Sequence, residues 1–380
     1  MKEDSIKKDK MLQALKMVAP GTLLREALEN VVRAGTGALI VIGANDEIME
    51  MTDGGFEINT DFLPASVYEL AKMDGAIIIS EDLKKIVKAN VHLLPEAHIT
   101  SKETGTRHRT AERFAKQTGK LAISISQRRN VISLYMGNQK YVVKNSSDLL
   151  NKANQAIQTL EKYRTSLDQA VMNLTVLELN GYVTVYDVVR VLQRTEMFYR
   201  VVKEIERYIL ELGNEGRLVE MQLEELKGEY ESEGINVIRD YIPKETDYED
   251  DLEEKKEEQK AAGKEDKDDY LRIWNELGKF SSDEILSLEG IAKTLGYASD
   301  GGNELDMIVT PRGYRILNKI PRLPAGVIEN TVQMFGSLRN VEKATIEELD
   351  AVDGIGEIRA KSIKDGLKRL KEMISMEKYL

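Results

Sequence analysis

The sequence predicts a multidomain α/β plus all-α protein: an N-terminal mixed-sheet α/β domain over residues 1–146, a central helical spine over 147–310 and a small all-α domain over 311–380. Three patterns carry that prediction. Strand-like apolar runs alternate with helical stripes before Lys144, some of them close enough to pair as hairpins. Beyond Lys144 the apolar positions recur at three- and four-residue steps for about a hundred residues. An apolar pattern around Gly354, Ile355 and Gly356 repeats one found 32 residues earlier.

In the first domain, Leu23, Leu24, Ala27, Leu28, Val31 and Val32 form a helical stripe that stops at Gly35, and the run ALIVIG that follows is a buried strand. A second helical pattern, from Pro64 through Tyr68, Leu70 and Ala71, leads to a strand at about 76–80. Ala111, Phe114 and Ala115 repeat at helical spacing up to Gly119, a C-terminal stop. Further strands fall at about 121–126, 130–136 and 140–144, and Gly137-Asn138 suits a two-residue turn between the last two. His92 and His98 lie in an irregular stretch, where a lone histidine is more often structural than catalytic.

In the spine, Leu150, Ala153, Ile157, Leu160, Leu167, Val171 and Leu174 line one helix, interrupted near Arg164 and stopped at Asn180-Gly181. About thirty helical residues span on the order of 45 Å. A second helix begins near Thr184, with Asp187 three residues on as a capping-box-like pair, and carries Val188, Val189, Leu192, Val201, Val202, Ile205, Ile209 and Leu212. These stripes are core or inter-subunit surface, and no chemistry is read in them. Lys244 to Asp269 differs in kind, with 13 acidic residues, 6 lysines and a net charge of −7. It is expected to be disordered or a solvated helix, in preference to a DNA-mimicking arm.

At the C-terminus, Leu349, Val352, Gly354, Ile355, Gly356, Ala360 and Ile363 fit the helix-hairpin-helix pattern, in which the hairpin's backbone N–H groups face a DNA phosphate. Shifting back 32 residues gives Leu317, Ile320, Arg322, Leu323, Pro324 and Ile328, the same apolar positions without either glycine. The domain therefore reads as a tandem helix-hairpin-helix with one degenerate hairpin. Residues 311–371 carry 12 Lys or Arg and 8 Asp or Glu, a net of +4 against −11 for the whole chain. Lys361, Lys364, Lys368, Arg369 and Lys371 are placed to meet phosphates. Binding through amides and a few cations reads backbone shape and not base sequence.

Composition sets outer bounds. At 380 residues the chain is long enough for two or three domains, each with its own core. The absence of cysteine excludes disulfides and thiolate metal sites and fits a reducing cytoplasm. No apolar run approaches the roughly 18 residues a membrane span needs, so a soluble protein without membrane attachment is expected.

The chemistry concentrates in two short segments. Gly105-Thr106-Arg107-His108-Arg109-Thr110 packs two guanidiniums, an imidazole and two hydroxyls into six residues that open a helix. Helix N-termini offer free N–H groups and the positive end of the dipole to an anion, and arginine adds bidentate contacts. Cations in a first turn oppose that dipole, which favours a phosphate-binding role for them. No GxxxxGK[ST] sequence occurs, so the site is not a P-loop. Asp74-Gly75-Ala76, at a helix-to-strand junction, supplies an acid able to hold a divalent cation or accept a hydroxyl proton, and Gly75 lets a ligand approach the backbone.

Together, DGA and, some thirty residues later, GTRHRT resemble the diadenylate cyclase family over about residues 8–145, and the chain as a whole resembles its DNA-associated, soluble branch. The resemblance implies a nucleotidyltransferase that condenses two ATP into cyclic di-AMP and two pyrophosphates, with Mg2+ or Mn2+ as cofactor. Carried over by motif, Asp74 would bind the metal and help activate the 3'-hydroxyl, while Arg107, His108 and Arg109 would hold the triphosphate and offset charge on the leaving pyrophosphate. Thr106 and Thr110 would donate to phosphate oxygens, Gly75 and Leu93 would border the nucleotide, and Ser126 would add a phosphate contact. Arg128 and Arg129 read better as a charged turn. Gly354, Ile355, Gly356, Lys361 and Lys364 would bind DNA, expected to be branched and not sequence-specific. The resemblance further implies cyclase domains facing each other in a homo-oligomer, an octamer, and regulation of synthesis through the DNA-binding tail. The competing reading is an ATP-binding scaffold for DNA structures that does not cyclise; retention of Asp74 argues against it.

Overall fold

The computed structural model describes residues 2–243, 266–297 and 303–377. Most of the acidic stretch at 244–269 lies outside the described residues. The chain divides into two compact units, residues 1–157 with 204–222, and residues 158–203 with 223–380.

The first unit is built on helices α1 (Lys2–Met17), α2 (Leu23–Arg33), α3 (Asp46–Glu50), α4 (Pro64–Leu70) and α5 (Thr106–Thr118) around one sheet. Its strands are β1 (Ala38–Ile42), β2 (Thr52–Asp53), β3 (Phe56–Asp61), β4 (Ala76–Ile79), β5 (Lys85–Leu93), β6 (Leu121–Ser126), β7 (Val131–Met136) and β8 (Gln139–Val142). The order is β2-β5-β4-β1-β6-β7-β8, with β3 also paired to β5. The sheet is mixed, because β1 and β4 run parallel while its other pairs are antiparallel. All five residues of β1 and all four of β4 are buried, as central strands covered on both faces require. One face carries Leu24, Leu28, Val31, Ile40, Ile77 and Ile123 under α2, and the other carries Val41, Ile78, Ala111, Phe114 and Ala122 under α5.

The β4 and β6–β8 strands fall where the sequence places them, and Gly137, at φ +56°, makes the expected hairpin turn. Strands β2, β3 and β5 have no counterpart in the sequence reading. Val87, Ala89, Val91 and Leu93 alternate with polar Lys88, Asn90 and His92 in β5, a strand pattern the sequence does carry, and the pairing of β5 with β4 slips register around the left-handed Asn90 (φ +55°). His92 accordingly sits in β5 opposite Asp53, not in an irregular stretch.

Helices α6 (Ser146–Asn180) and α7 (Val185–Leu212) are the two long helices of the spine, and each contributes residues to both units. The α6 helix runs for 35 residues without a break at Arg164 and ends before Gly181 at φ +75°. Asp187 accepts bonds from the backbone N–H and hydroxyl of Thr184 at 3.0 and 2.6 Å, fixing the start of α7. Helix α8 (Arg217–Lys227) follows. The second unit continues with α9 (Tyr230–Tyr241), α10 (Asp266–Leu277) and α11 (Leu288–Leu295), and a two-stranded ribbon pairs β9 (Val183–Thr184) with β10 (Ile308–Val309). It ends in α12 (Tyr314–Asn318), α13 (Ala325–Phe335), α14 (Leu338–Lys343), α15 (Ile346–Asp350) and α16 (Glu357–Glu377). Leu317, Ile320, Ile328, Leu349, Val352, Ile355, Ala360 and Ile363 share one core, so both halves of the 32-residue repeat pack together.

Candidate nucleotide site and DNA interface

Helix α5 opens at Gly105, an extended N-cap with no side-chain capping bond. The Arg109 amide donates to the Gly105 carbonyl at 2.9 Å, the first intrahelical bond, leaving the earlier amides of the turn directed off the helix end. Ala111, Phe114 and Ala115 bury the opposite side of the helix on the sheet, and Gly119 (φ +67°) terminates it. The basic cluster thus sits on a rigid element with its N–H groups facing out.

Asp74 ends the α4–β4 junction beside it. Arg107 Nη2 donates to Asp74 Oδ1 at 2.9 Å, joining residues 33 positions apart. The Asp74 side chain is 97% exposed and that of Arg107 34%, so the pair lies at the rim of the sheet with the carboxylate open to solvent. Gly75 takes φ +100°, and an added Cβ would lie 2.8–3.0 Å from the backbone of Asn90 and Val91. What approaches Gly75 closely is strand β5. A second glycine, absent from the sequence reading, shapes the site: a Cβ on buried Gly37 would come within 2.4 Å of Arg107 Nη1 and 3.1 Å of the Ile125 carbonyl oxygen. Glycine there makes room for the guanidinium. Its only sequence signal is a small residue immediately before a fully buried strand.

His108 points the other way along the turn. Its Nδ1 lies 2.9 Å from the hydroxyl of Tyr135, a buried β7 residue, with the rings edge to face. Glu103, which accepts from Lys140 on β8, acts on the same phenol. Burial, opposed by Glu103 and reinforced by Lys140 and Arg129, lowers the His108 pKa below the usual imidazole value. Glu103, Tyr135 and Lys140 surround His108, and no motif marks them.

The remaining candidates spread around this centre. Arg109 is exposed and reaches the Glu103 and Thr104 carbonyls only at 3.5 Å, which leaves it available. Thr106 is exposed and Thr110 half-buried on α5. Leu93 is buried, 6% exposed, in the core beneath α5, so any border it forms is through packing. Ser126, at the end of β6, accepts from the Arg129 amide at 3.3 Å, and exposed Arg128 and Arg129 form the turn that follows. Among the described residues no group of three or more His, Asp or Glu could by itself enclose a metal ion. The Asp74 carboxylate is open to solvent.

At the other end of the chain, Gly354 adopts φ +82° in the turn between α15 and α16, and Gly356 has open space where a Cβ would project. Arg322 takes φ +63° at the equivalent place in the first hairpin, so the backbone conformation survives loss of the glycine. Lys361 is exposed and pairs with Glu357. Lys364 is half-buried and donates to the carbonyls of Glu342 and Ala344 at 2.6 and 2.5 Å, closing α14 from outside. Its ammonium is already committed to the fold.

Family models match three successive regions: the DisA bacterial checkpoint controller nucleotide-binding domain at residues 25–140, the linker region of the same controller at 143–270, and the helix-hairpin-helix motif at 337–366. The DNA integrity scanning protein DisA of Clostridium botulinum (strain Loch Maree / Type A3) is 51% identical over 374 residues, covering 98% of this chain and 99% of its own. That of Clostridium perfringens (strain 13 / Type A) is 50% identical over 372 residues, covering 98% of each. Two solved structures resemble the chain in part: a hypothetical membrane spanning protein from Bacillus cereus (22% identity, 32% of this chain and 62% of that one, TM-score 0.29) and DacA from Staphylococcus aureus (20% identity, 36% and 89%, TM-score 0.27). With half its residues identical across nearly the full length of these relatives, and with nucleotide-binding, linker and hairpin regions in the same order, the chain belongs to the DisA family of diadenylate cyclases.

Proposed function

We infer that the Asp74–Arg107 rim is the reaction centre, where two ATP molecules condense to cyclic di-AMP and two pyrophosphates, each 3'-hydroxyl attacking the α-phosphate of the other nucleotide. One observation carries this reading: the fold brings the acid and the phosphate-binding cluster from 33 positions apart to 2.9 Å. The exposed pair contributes at most about 1 kcal/mol in its present form, so Arg107 can exchange the carboxylate for a triphosphate oxygen. Arg109 swings from its two long carbonyl contacts to the same phosphates. The α5 amides, Thr106, Thr110 and Ser126 add neutral donors, and His108 supplies a further contact from the buried side of the turn.

The donor set fits Mg2+ or Mn2+, which bind readily through one carboxylate completed by substrate phosphates. Asp74 would hold such an ion, which when bound would polarise the α-phosphoryl oxygens and acidify the 3'-hydroxyl. Asp74 stands beside that hydroxyl, and the two guanidiniums offset charge on the departing pyrophosphate.

A centre with its acid open to solvent is half of a site for a product with two equivalent links. Cyclase domains therefore pair across a two-fold axis, with an octamer as the complete assembly. The helix-hairpin-helix region takes DNA through the Gly354–Gly356 amides, with Lys361 nearby, and reports branched structures to the cyclase. The reading places the protein in the cytoplasm. Incubation of the purified protein with ATP and Mg2+ or Mn2+, followed by chromatography, tests the chemistry. Cyclic di-AMP that disappears on chelation is expected; ATP left intact with either metal would overturn the assignment.

A further inference from the structure

The charge of His108 depends on its surroundings more than that of any other member of the basic cluster, and those surroundings specify its protons. Burial works against ionised Glu103, but the hydrogen bond from Lys140 and the nearby Tyr135 phenol outweigh it and hold the carboxyl below its usual range. Burial and Glu103 push the Tyr135 phenol well above its ordinary value, so it keeps its only proton. A carboxylate can only accept, so the phenol proton turns toward Glu103. Its oxygen then accepts from His108 Nδ1–H across the 2.9 Å contact. The neutral ring is left with a bare lone pair on Nε2. That edge faces the helix start, since a Cβ on Gly105 would lie 3.5 Å from Cδ2, the carbon bonded to Nε2. A lone pair there repels a phosphate oxygen, whereas a second proton makes it a charged donor.

We propose that Glu103 and Tyr135 are positioning residues that fix His108 with Nδ1–H directed to the phenol, so that the imidazolium is the nucleotide-binding form and ATP draws one proton from solvent onto Nε2. The proposal rests on the reading that His108 meets the triphosphate. The charged and titratable groups around the ring are Glu103 from the preceding loop, Tyr135 from β7, Lys140 from β8, Arg129 from the β6–β7 turn, and Arg107, Arg109 and Glu112 from its own helix. Of these, Glu103 favours the imidazolium, while Lys140 and Arg129 disfavour it.

The test is calorimetric binding of 3'-deoxy-ATP with Mg2+, which cannot cyclise, from about pH 6 to about pH 9 in buffers of different ionisation heat. Wild type is expected to take up protons and to bind more tightly as pH falls. Glu103→Gln should move the midpoint of this profile to lower pH by about one unit, weakening binding by up to about tenfold at pH above both midpoints. Lys140→Met should move it to higher pH. General damage to the site would shift both variants alike, so the opposite signs identify the proton network. If Glu103→Gln does not fold, an unshifted or acid-shifted Lys140→Met profile is enough to overturn the proposal. His108→Gln should bind weakly and lose proton uptake. Wild-type affinity in His108→Gln would remove His108 from the nucleotide site. Weak binding by His108→Gln, with the other two profiles superimposed on wild type, would overturn the network alone.

Discussion

Asp74 and Arg107 neutralise each other at the rim of the sheet, and in the proposed reaction ATP separates them. The two residues therefore have separable roles. Asp74→Asn removes the carboxylate that would hold the metal but frees Arg107 for phosphate, so product formation should fall at least about 100-fold while metal-free ATP affinity stays within about threefold. Chromatographic assay beside calorimetry reads both, and retained synthesis would strip Asp74 of its role. Replacing Arg107 and Arg109 together by Ala should instead weaken ATP binding on the order of 100-fold or more, since each charged bond is worth about 1.5–3 kcal/mol. Asp74 and the arginines were legible in the sequence because their chemistry is compressed into a few adjacent residues. Gly37, Glu103 and Tyr135 were not, because each acts through a neighbour brought close only by the sheet.

At the level of elements, periodicity found what is continuous and lost what is interrupted. Helices α2, α5, α6 and α7 each keep a stripe long enough to read, whereas β5 offers only a short alternation from Val87 to Leu93, and its pairing slips register at Asn90. A buried ion cluster was equally invisible. Arg315 on α12 is 0% exposed, bonded to Glu178 on α6, to Thr175 at 2.9 Å and to Glu233 on α9 at 2.7 Å. Asp240, at the end of α9, accepts from the amides of Gly313, Tyr314 and Arg315 at 2.7, 2.7 and 3.0 Å, capping α12 from another helix. In sequence these are ordinary charged residues on helices up to 140 positions apart. Arg315→Met should destabilise the second unit by about 3–5 kcal/mol, because Glu178 is left buried without its partner. Adding Glu178→Met should recover part of that loss, as apolar pairs commonly replace buried ion pairs. Hydrogen exchange of the α9 and α12 amides reports both, and additive destabilisation would show that the two residues act independently.

For the whole molecule, a half-site at Asp74 of the kind proposed would make activity depend on assembly. A chain that synthesises cyclic di-AMP while light scattering finds only monomers would contradict the paired arrangement. Regulation by DNA makes a further demand, since a ligand shifts an equilibrium only by its differential affinity for the states involved. Branched DNA on the hairpins should lower the rate of synthesis, and unbranched duplex should lower it less. Deleting residues 311–380 is a poor control, because it removes Arg315 and leaves the buried Glu178, Glu233 and Asp240 without the cation and amides that hold them. Gly356→Val is cleaner: its side chain enters open space and its backbone needs no left-handed conformation, yet it blocks close approach of a phosphate to the hairpin amides. Gly354→Val would confound the result, because φ there is +82° and Val327 lies 3.3 Å from the added Cβ. With Gly356→Val, basal synthesis should stay within about twofold of wild type, since the nucleotide site lies within the first unit, while inhibition by a four-way junction at constant salt should be lost. Helices α6, α7 and α8, which contribute residues to both units, are the covalent route for such a signal. Undiminished inhibition of this variant would place the sensor outside the second hairpin and leave the first, where Arg322 holds the same backbone turn, as the next to be altered.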